Sequence, residues 1–592
     1  MKRNAFHLFT DPSDGEAFIL DRPKTILIFE GKNYGSSDLK GLFEPLLGRY
    51  EEDKDAGRLF DYLEGDFSLC LFDVQRALVF MGTDRFARGQ IFWGSRRPVA
   101  FFTHPSLFFR STSLKPTLDT FPLWDRFAIG AITPPETLYK GYFSNVTGEY
   151  VQIDLQGKTK RCVYWSPLRR LTSGGLKKTD NVSFLSTQVQ ECFSKKVSEE
   201  ISPYRKLGVG LSGGMDSGAI LGAARRHFSG DVIAVSLGPD GPRSPDLKKA
   251  RVTAAFNEAR HIEYYPVARD LDDFTGIMGR LSQPFRSATI FMNYQIAKRV
   301  KEYDGECVLW GYGADLVLGN AGYCRRLYNI EDDLWPSSFT NPIIMALRLL
   351  PQNRYVAGLL NRILLHASLD SSSLGEKYFR GCKKSRFYQE KRLFKKGFVE
   401  AGREEEILSR IDRILQDNNE SIVDRLIEVD LKVIHVYNQV SCAHHSSRIA
   451  GLDSIITYYN RDYVEINLMA SNKIRALDRW NKYLLREAFR PFVHKDIYGG
   501  KRGACIIRWD KIISGPFRDA VINYLTHSEV IGDIFEVKYL RRLKGMIKHP
   551  GLMLLNLLGL ALWYDVNFND VGPETPLSEI IDYRWQEQDR TY

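Results

Sequence analysis

The sequence predicts an α/β protein with two domains, an N-terminal antiparallel β-rich domain over residues 1–170 and a larger domain over residues 180–592. Short aromatic and β-branched runs separated by turn residues predict the sheet of the first domain. Strands that alternate with helices predict a doubly wound parallel sheet in the second domain, followed by a large helical C-terminal part. A polar, glycine-containing segment, residues 171–178, predicts the linker between them.

The strands predicted in the first domain are short and apolar. They cover residues 25–29, 66–72, 77–81, 90–93 and 100–103. In the second domain the pattern changes to strands and helices in alternation, which is typical of a parallel sheet. The predicted helices cover residues 181–199, 217–226 and 247–258, and the predicted strands cover residues 207–211, 231–237 and 261–265.

Beyond residue 315 the chain is predicted to be mainly helical to about residue 570. Its longest apolar run, 551–563, is shorter than the ~20 residues that a membrane-spanning helix needs, so we expect a buried core helix and no membrane span. Lys and Arg are frequent in residues 373–409, but Glu is interspersed among them. That pattern is typical of a solvated helical face.

The composition is that of an ordinary globular protein, with 44% hydrophobic and 26% charged residues. Lys and Arg exceed Asp and Glu by 82 to 72, which gives a formal charge of +10. This charge suits a nucleic acid, an anionic membrane or a polyanionic small molecule, and selects none of them. The eight cysteines form no Cys-x-x-Cys pair, and scattered thiols fit a reducing cytosol. The basic N-terminus lacks the apolar run of a signal peptide, so we expect a cytoplasmic protein.

The strongest functional signal is a glycine-rich segment that follows one predicted strand and precedes a predicted helix. It consists of Leu211, Ser212, Gly213, Gly214, Met215, Asp216 and Ser217. The glycines allow close backbone approach to a ligand, and the N–H groups at the helix start form an anion cradle with the serine hydroxyls. A carboxylate is compatible with a phosphate cradle if a cation such as Mg²⁺ binds there. An ordinary glycine-rich turn would show the same residues, and the lack of a following Lys excludes the common P-loop.

This segment resembles the pyrophosphate-binding loop of the ATP pyrophosphatases, and other segments resemble the asparagine synthetases. Residues 308–315 are similar to their second active-site loop, and residues 500–503 to the loop that carries a functional lysine. The resemblance implies ATP and Mg²⁺ as cofactors, with Asp216 and Asp315 as metal ligands. It implies that Lys501 stabilises pyrophosphate and the acyl-transfer transition state. The nucleotide-binding residues that it implies are Leu211, Ser212, Gly213, Gly214, Asp216, Ser217, Ser236, Leu237, Gly311 and Gly313.

The first domain resembles the glutaminase (Ntn-like) domain of the same family, through residues 65–73 and 82–89. Glutamine-hydrolysing members need a Cys as the first mature residue, because its thiol attacks the glutamine amide. Here residue 2 is Lys, and the first cysteine, Cys70, lies inside a predicted strand. The domain is therefore expected to keep the scaffold without the nucleophile, so the attacking amine must come from another source.

The second loop also departs from the asparagine synthetases, which carry Glu where this chain has Tyr312. A Tyr at this place resembles the β-lactam synthetases, in which a Tyr–Glu pair deprotonates an internal amine. An ungapped alignment places Ser441 at the position of that Glu, near Gln439, His444 and His445. Tyr312 is thus a candidate base with an unidentified helper, or a ring that packs beside the nucleotide. The two histidines are candidates of the same kind, or residues with an ordinary core or surface role.

Both departures favour closure of an amide within one substrate. In its length and its long helical region, the chain is more similar to lasso peptide cyclases, which close a macrolactam in a precursor peptide. In carrying Tyr312, it is more similar to β-lactam synthetases, which act on a small amino acid derivative. An ammonia-dependent asparagine synthetase and an inactive peptide-binding scaffold are also compatible with the sequence. The expected partners are a peptide or small amino acid substrate and, for a lasso peptide, a precursor-processing protease. Nucleic acid is not expected, since the β-rich first domain and the C-terminal segments disfavour the tRNA-modifying relatives.

Overall fold

The computed structural model describes most of the chain. The described residues are 7–9, 17–34, 37–94, 100–112, 114–238, 241–285, 287–314, 335–351, 354–367, 374–376, 378–379, 390–399, 403–416, 421–434, 436–476, 482–498 and 507–586. Two predicted site residues, Asp315 and Lys501, lie outside these ranges.

The N-terminal part contains two sheets, and each predicted strand overlaps a strand of one of them, although the strand predicted over 90–93 shares only two residues with its counterpart, Phe92–Gly94. A six-stranded antiparallel sheet has the order β10-β9-β5-β4-β3-β2, and a four-stranded sheet has the order β1-β7-β6-β8. The pair β1 and β7 runs parallel, unlike the antiparallel pairing expected for this domain. The strands are β1 (His7–Phe9), β2 (Phe18–Asp21), β3 (Thr25–Asn33), β4 (Gly65–Asp73), β5 (Leu78–Thr83), β6 (Phe92–Gly94), β7 (Ala100–Phe102), β8 (Tyr142–Ser144), β9 (Glu149–Asp154) and β10 (Thr159–Val163).

Helices also occur in this part of the chain, where the sequence predicts mostly strands. They are α1 (Leu39–Asp53), α2 (Ala56–Tyr62), α3 (Pro105–Ser111), α4 (Leu123–Ala128) and α5 (Pro167–Thr172). Asp38 and Asp55 cap the first two helices by accepting hydrogen bonds from backbone N–H groups of the first turn. Apolar side chains of α1 and α2, among them Phe43 and Phe60, are buried against the six-stranded sheet.

The second domain contains the predicted parallel sheet. Its five strands have the order β13-β12-β11-β14-β15, and every neighbouring pair is parallel. They are β11 (Lys206–Gly210), β12 (Asp231–Leu237), β13 (Arg260–Tyr264), β14 (Cys307–Leu309) and β15 (Asp453–Ile455), and the helices of this region are α6 (Val182–Ile201), α7 (Met215–His227), α8 (Pro245–Phe256), α9 (Phe274–Gly279) and α10 (Ser287–Glu302). The strand order reverses between β11 and β14, so a crevice is expected at their carboxyl ends.

The rest of the described chain is mainly helical, as predicted. Its helices are α11 (Ser337–Leu349), α12 (Arg354–His366), α13 (Leu374–Glu376), α14 (Lys396–Val399), α15 (Arg403–Leu415), α16 (Ile422–Val429), α17 (Ser441–Ile449), α18 (Arg461–Leu468), α19 (Asn472–Ala476), α20 (Tyr483–Phe489), α21 (Lys495–Tyr498), α22 (Trp509–Ile512), α23 (Gly515–His527), α24 (Glu529–Ile534), α25 (Leu543–Met546), α26 (Pro550–Phe568) and α27 (Leu577–Ile580). Two π-helical turns, Asp430–Ile434 and Val436–Val440, precede α17, and 3₁₀ turns occupy Ala268–Asp273, Lys391–Leu393, Arg490–Phe492 and Val537–Arg542.

The apolar run near the C-terminus forms the core helix α26. At 19 residues it is longer than the predicted run and is apolar enough to cross a membrane, yet 13 of its residues are buried inside the protein. Trp563 is fully buried, and its Nε1 donates to the carbonyl oxygen of Leu281 at 2.9 Å. The expectation of a buried helix therefore holds, although its length alone does not exclude a membrane span.

Charged side chains of the N-terminal part are buried against the second domain. Arg403 of α15 donates to both carboxylate oxygens of Asp125, at 2.8 and 2.7 Å, and neither side chain is exposed. The neighbouring Arg126 donates to Ser287 Oγ and to the carbonyl oxygen of Asn556, both at 2.9 Å. The expectation of a solvated face over 373–409 is wrong for Arg403, because a buried carboxylate of the other domain compensates its charge.

Candidate functional site

The site forms where two loops leave the carboxyl ends of β11 and β14. One loop is the glycine-rich segment 211–217, and the other begins at Trp310. A Cβ placed on Gly311 would lie 2.9 Å from the backbone nitrogen of Ser217, so the two loops touch and only glycine fits there. The crevice at the reversal of strand order is thus bordered by both segments that the sequence indicated.

Local hydrogen bonds fix the shape of the first loop. The Ser217 hydroxyl accepts from the backbone N–H of Ser212 at 3.1 Å and lies 3.1 Å from the Ser212 hydroxyl. Gly213 has a φ of +73°, and a Cβ there would lie 2.2 Å from the carbonyl oxygen of Asp246. Helix α7 starts directly after this turn, so its first N–H groups and its positive dipole end point toward the crevice.

A cavity of about 310 Å³ occupies this crevice, within the range of small-molecule sites. It is lined by Gly210, Leu211, Ser212, Asp216, Ser217, Ser236, Leu237, Asp246, Leu247, Ala250, Met292, Asn293, Ile296, Trp310, Gly311, Tyr312, Gly313 and Gln439. Most of the predicted nucleotide-binding residues therefore surround one cavity. Gly213 and Gly214 shape the adjoining turn without lining it.

A lysine outside the predicted site residues reaches this loop. Lys482, immediately before α20, forms an ion pair with Oδ2 of Asp216, and both side chains are largely buried. The Tyr458 hydroxyl donates to the carbonyl oxygen of Asp216 at 3.0 Å from the other side. A cation beside an anion cradle suits a phosphate ligand. Lys482 has no local sequence signal, since it lies 266 residues from its partner.

A second residue outside the prediction is His261 of β13. Its Nε2 lies 2.8 Å from the hydroxyl of Ser236, which also donates to the carbonyl oxygen of Leu211 at 2.7 Å. Burial lowers the pKa of His261, which favours the neutral ring. This histidine therefore orients Ser236 at the cavity wall without adding charge.

The structure brings an amide to Tyr312. The Tyr312 hydroxyl donates to Oδ1 of Asn293, on α10, at 2.9 Å, and Gln439 lines the same cavity. Ser441 instead donates to the carbonyl oxygen of Ala87 at 3.2 Å, away from Tyr312. An amide oxygen orients the phenol but does not take up its proton.

His444 and His445 line a different cavity, of about 570 Å³, between the two domains. Nδ1 of His444 lies 3.7 Å from Asp66 Oδ2, and the Arg88 guanidinium lies between Asp66 and Asp84. None of the described cysteines lines this cavity, and Cys70 is buried in the core of the N-terminal sheets. The histidines therefore do not join the site at Tyr312.

A model of the asparagine synthase family matches residues 188–565, which is more than half of the chain. The chain belongs to the asparagine synthase family. The match spans both loops, the parallel sheet and the C-terminal helices through α26. The family resemblance of the sequence is confirmed, and so is the predicted fold class.

Individual members of the asparagine synthase family are distant from this chain. It is 26% identical over 182 residues to glutamine-hydrolysing asparagine synthetase 2 of Arabidopsis thaliana, and 25% identical over 185 residues to the glutamine-hydrolysing asparagine synthetase of Zea mays. Each match covers 27% of this chain and 31% of the relative, so the chain matches about a third of the length of these relatives. Among solved structures, a U34-tRNA thiolase from Methanococcus maripaludis with its 4Fe–4S cluster matches 38% of this chain and 80% of its own, at 16% identity and a TM-score of 0.17.

Family membership implies Mg²⁺ beside the nucleotide, and the residues present fit that ion in kind. Asp216 and Asp246 bring carboxylates to the cavity, and carboxylate oxygens are the ligands that Mg²⁺ prefers. Among the described residues no group of three or more His, Cys, Asp or Glu side chains gathers at one point. Such a group is not needed for Mg²⁺, because this ion is typically held by one or two carboxylates together with substrate phosphates.

Proposed function

We propose that this member of the asparagine synthase family is an ATP-dependent, amide-forming ligase that releases AMP and pyrophosphate. The contact between the two loops around one cavity carries the proposal. The anion cradle and the Tyr312 phenol line one crevice, and the Lys482 ammonium is paired with Asp216 of that lining. Phosphate groups and a reacting carboxylate require those kinds of partner in one place.

The proposed reaction has two steps. A carboxylate oxygen of the substrate attacks the α-phosphorus of ATP, the bond to the β-phosphate bridging oxygen breaks, and pyrophosphate leaves. An amine nitrogen then attacks the acyl carbon, AMP leaves with the former carboxylate oxygen, and the amine loses a proton. The Ser212 and Ser217 hydroxyls and the first N–H groups of α7 bind the phosphates. Asp216, together with Asp315, would hold Mg²⁺, whose charge neutralises the phosphates.

Lys501 and Lys482 are proposed to act on the leaving group. The family resemblance assigns Lys501 to pyrophosphate and to the acyl-transfer transition state. Lys482 is already within reach of the phosphate loop through Asp216. A cation at a developing negative charge contributes several kcal/mol to such steps.

The proposed class of product is an amide closed within one substrate, with a lasso-type macrolactam as the first candidate. None of the described cysteines lines the cavity that the N-terminal part borders, which supports an amine source other than glutamine. A β-lactam closed in a small amino acid derivative and the ammonia-dependent synthesis of asparagine are the competing candidates. On this proposal the enzyme acts in the cytoplasm on a peptide or small amino acid, with a precursor-processing protease as a partner for a lasso substrate.

Mass spectrometry after incubation with ATP, Mg²⁺ and a candidate substrate tests the proposal. Loss of one water from the substrate together with AMP formation supports intramolecular closure. Formation of asparagine from aspartate and ammonia would instead identify the ammonia-dependent enzyme. If neither AMP nor pyrophosphate forms with any substrate that binds, the chain is a peptide-binding scaffold.

Adenylation is tested separately by ATP–pyrophosphate exchange. Asp216→Asn and Lys501→Ala should each abolish the exchange while leaving the fold intact, because the first removes a carboxylate that would hold Mg²⁺ and the second removes a cation that would stabilise pyrophosphate. Asp231→Asn is a matched control, since this carboxylate begins β12 with its side chain 82% exposed. Near-normal exchange in either site variant contradicts the assignment.

Tyr312 is proposed to take the amine proton in its phenolate form, after its own proton has passed to solvent or to the unidentified helper, and Asn293 orients the phenol oxygen. Tyr312→Phe should leave exchange unchanged and lower product formation by about 10² or more, as expected for loss of a general base. Asn293→Asp, which would offer a carboxylate at 2.9 Å from the phenol, should shift the pH profile of the second step. Unchanged product formation by Tyr312→Phe would assign the ring to packing.

A further inference from the structure

A π-helical turn, Val436–Val440, leads into α17 beside the nucleotide cavity. Turns of this kind are rare, and those that occur are frequently found at functional sites. Gln439 of this turn lines the cavity, and its neighbours Tyr437 and Asn438 contact the N-terminal part. The turn therefore joins the N-terminal part to the wall of the cavity.

The two residues that precede Gln439 are hydrogen-bonded to the N-terminal part. The Tyr437 hydroxyl accepts from the backbone N–H of Thr147 at 2.8 Å and lies 2.6 Å from the Thr147 hydroxyl. Both of these residues are buried. Nδ2 of Asn438 donates to the carbonyl oxygen of Ile129 at 3.1 Å. Buried hydrogen bonds of this kind hold the backbone of the turn in one position.

The chain that follows Gln439 is tied to the same part of the protein. The Ser441 hydroxyl donates to the carbonyl oxygen of Ala87 at 3.2 Å, and both residues are buried. Gln439 thus lies between two anchored stretches of backbone, while its own side chain is partly exposed at the cavity. The N-terminal part therefore fixes the position of a residue in the wall of the nucleotide cavity.

Gln439 lies at the end of the cavity where Tyr312 lies. Lining residues of β12 are on one side of β11, whereas Tyr312 follows β14 on the other side. Helix α17 packs against α10 and against β15, the strand beyond β14. Asn293 of α10 accepts from the Tyr312 hydroxyl, and its Nδ2 lies 3.9 Å from Sγ of Cys442, about one turn after Gln439. The turn therefore reaches the cavity from the side opposite β12.

The described wall at this end is polar but uncharged. Tyr312, Asn293 and Gln439 contribute a phenol and two amides, and the charged residues among the described lining are Asp216 and Asp246, which belong to the phosphate loop and its contact. A primary amide has both donors and an acceptor, so Gln439 matches a peptide group. The ammonium and second carboxylate of a free amino acid would instead need charged partners.

We propose that Gln439 binds a peptide group of the acyl substrate next to the reacting carboxyl, and that the N-terminal part is the scaffold that positions this residue. The inference rests on the proposed ligase function and assigns its substrate class as a peptide. The Gln439 amide accepts from the N–H of the peptide group and donates to its carbonyl oxygen, which orients the carboxyl toward the nucleotide. Tyr437, Asn438 and Ser441 are positioning residues, because they act on the substrate only through Gln439.

ATP–pyrophosphate exchange with two small probes tests this proposal on the full-length protein. The probes are N-acetyl-L-aspartate amide, whose carboxyl lies between two peptide groups, and L-aspartate, which has none. The wild type should show a kcat/KM about tenfold or more higher for the first probe. Gln439→Met keeps the length of the side chain without its hydrogen-bonding groups. It should raise the KM for N-acetyl-L-aspartate amide by about tenfold and leave the KM for ATP within about twofold.

Tyr437→Phe tests the positioning role, because it removes a hydroxyl that contacts Thr147 and does not line the nucleotide cavity. It should raise the KM for N-acetyl-L-aspartate amide by about threefold or more, with the KM for ATP unchanged. Tyr139→Phe is the matched control, since the Tyr139 hydroxyl also joins the N-terminal part to the second domain, at 3.4 Å from Oδ1 of Asn567 on α26. This control should change neither constant, and circular dichroism should be normal in all three variants.

Several results would overturn the proposal. An unchanged KM for the probe in Gln439→Met would remove this residue from substrate binding, and a raised KM for ATP alone would assign it to the nucleotide. A wild-type preference for L-aspartate would contradict a peptide substrate. Equal effects of Tyr139→Phe and Tyr437→Phe would exclude a specific role for the turn.

Failure of the proposed ligase function gives a different result. Exchange with neither probe, by a protein that forms AMP with another substrate, would overturn the role of Gln439 and leave the ligase function standing. A protein that binds ATP but forms AMP with no substrate would remove the ligase function itself.

Discussion

Glu200 is a buried carboxyl that should make the protein less stable as the pH rises. It lies at the end of α6, where the Thr457 hydroxyl donates to its Oε2 at 2.5 Å. Burial raises its pKa from 4.5 to about 7, although Thr457 and Arg88 favour the charged form. The next residue, Tyr458, donates to the carbonyl oxygen of Asp216. Glu200 is therefore connected to the phosphate loop through two adjacent residues, Thr457 and Tyr458.

The sign and size of the effect follow from the two pKa values. Between pH 4.5 and 7 the folded chain keeps a proton that the unfolded chain has lost, so stability falls as the pH rises. Each pH unit costs about 1.4 kcal/mol, which gives about 3 kcal/mol above pH 7. The Glu200→Gln variant still accepts the Thr457 hydrogen bond and does not ionise. We therefore expect it to be about 3 kcal/mol more stable than the wild type near pH 8, and within about 1 kcal/mol of it near pH 5.

Urea unfolding followed by tryptophan fluorescence, repeated from about pH 5 to pH 8, measures this difference. Glu199→Gln is the matched control, because its side chain is 41% exposed on the same helix end; its difference from the wild type should stay within about 0.5 kcal/mol at every pH. A Glu200→Gln difference that is the same at both ends of the pH range would show that this carboxyl ionises as a solvent-exposed one does. The reasoning from burial would then be wrong.

Three further predictions concern the domain contact and the site. Arg403→Leu should lower the free energy of unfolding by about 3–5 kcal/mol, because it leaves the Asp125 carboxylate buried without its cation; a loss below about 1 kcal/mol in urea unfolding would argue against that pairing. Gly311→Ala should slow ATP–pyrophosphate exchange at least tenfold, since its Cβ would lie 2.9 Å from the Ser217 nitrogen; normal exchange would mean that the loops need not touch. Lys482→Ala should weaken ATP binding, measured by calorimetry, by about tenfold or more, with partial recovery in Lys482→Arg; an unchanged affinity would limit this lysine to a structural role.

The parallel sheet could be predicted closely because its strands are continuous apolar runs. The predicted strand 231–237 coincides with β12, which is buried along most of its length. By contrast, β15 has three residues and exists only through pairing with β14, so nothing local indicates it. Helix α1 lies in a region where the sequence predicts strands; it carries an internal Pro45, and tertiary packing of Phe43 decides its conformation.

The sequence could predict only those site residues that belong to short motifs along the chain. Glycines that allow two loops to touch leave a pattern in the sequence, and the structure brings Gly311 against Ser217. Ion pairs and hydrogen bonds between distant segments leave no such pattern. Lys482 and Asn293 each reach the site from a separate helix region, so their roles depend on folding.

The buried charges of the N-terminal part bear on how such a protein can change through evolution. Asp125 neutralises Arg403, and Arg126 is hydrogen-bonded to α10 and α26. Deleting this part in one step would take the Asp125 carboxylate from Arg403 and would uncover Trp563 of α26, which packs against Tyr139. A protein that does not use the chemistry of such a domain would therefore still need the folded domain to cover these residues. Shortening the chain, by selection or in the laboratory, would first require compensating replacements on the surface that the N-terminal part now covers.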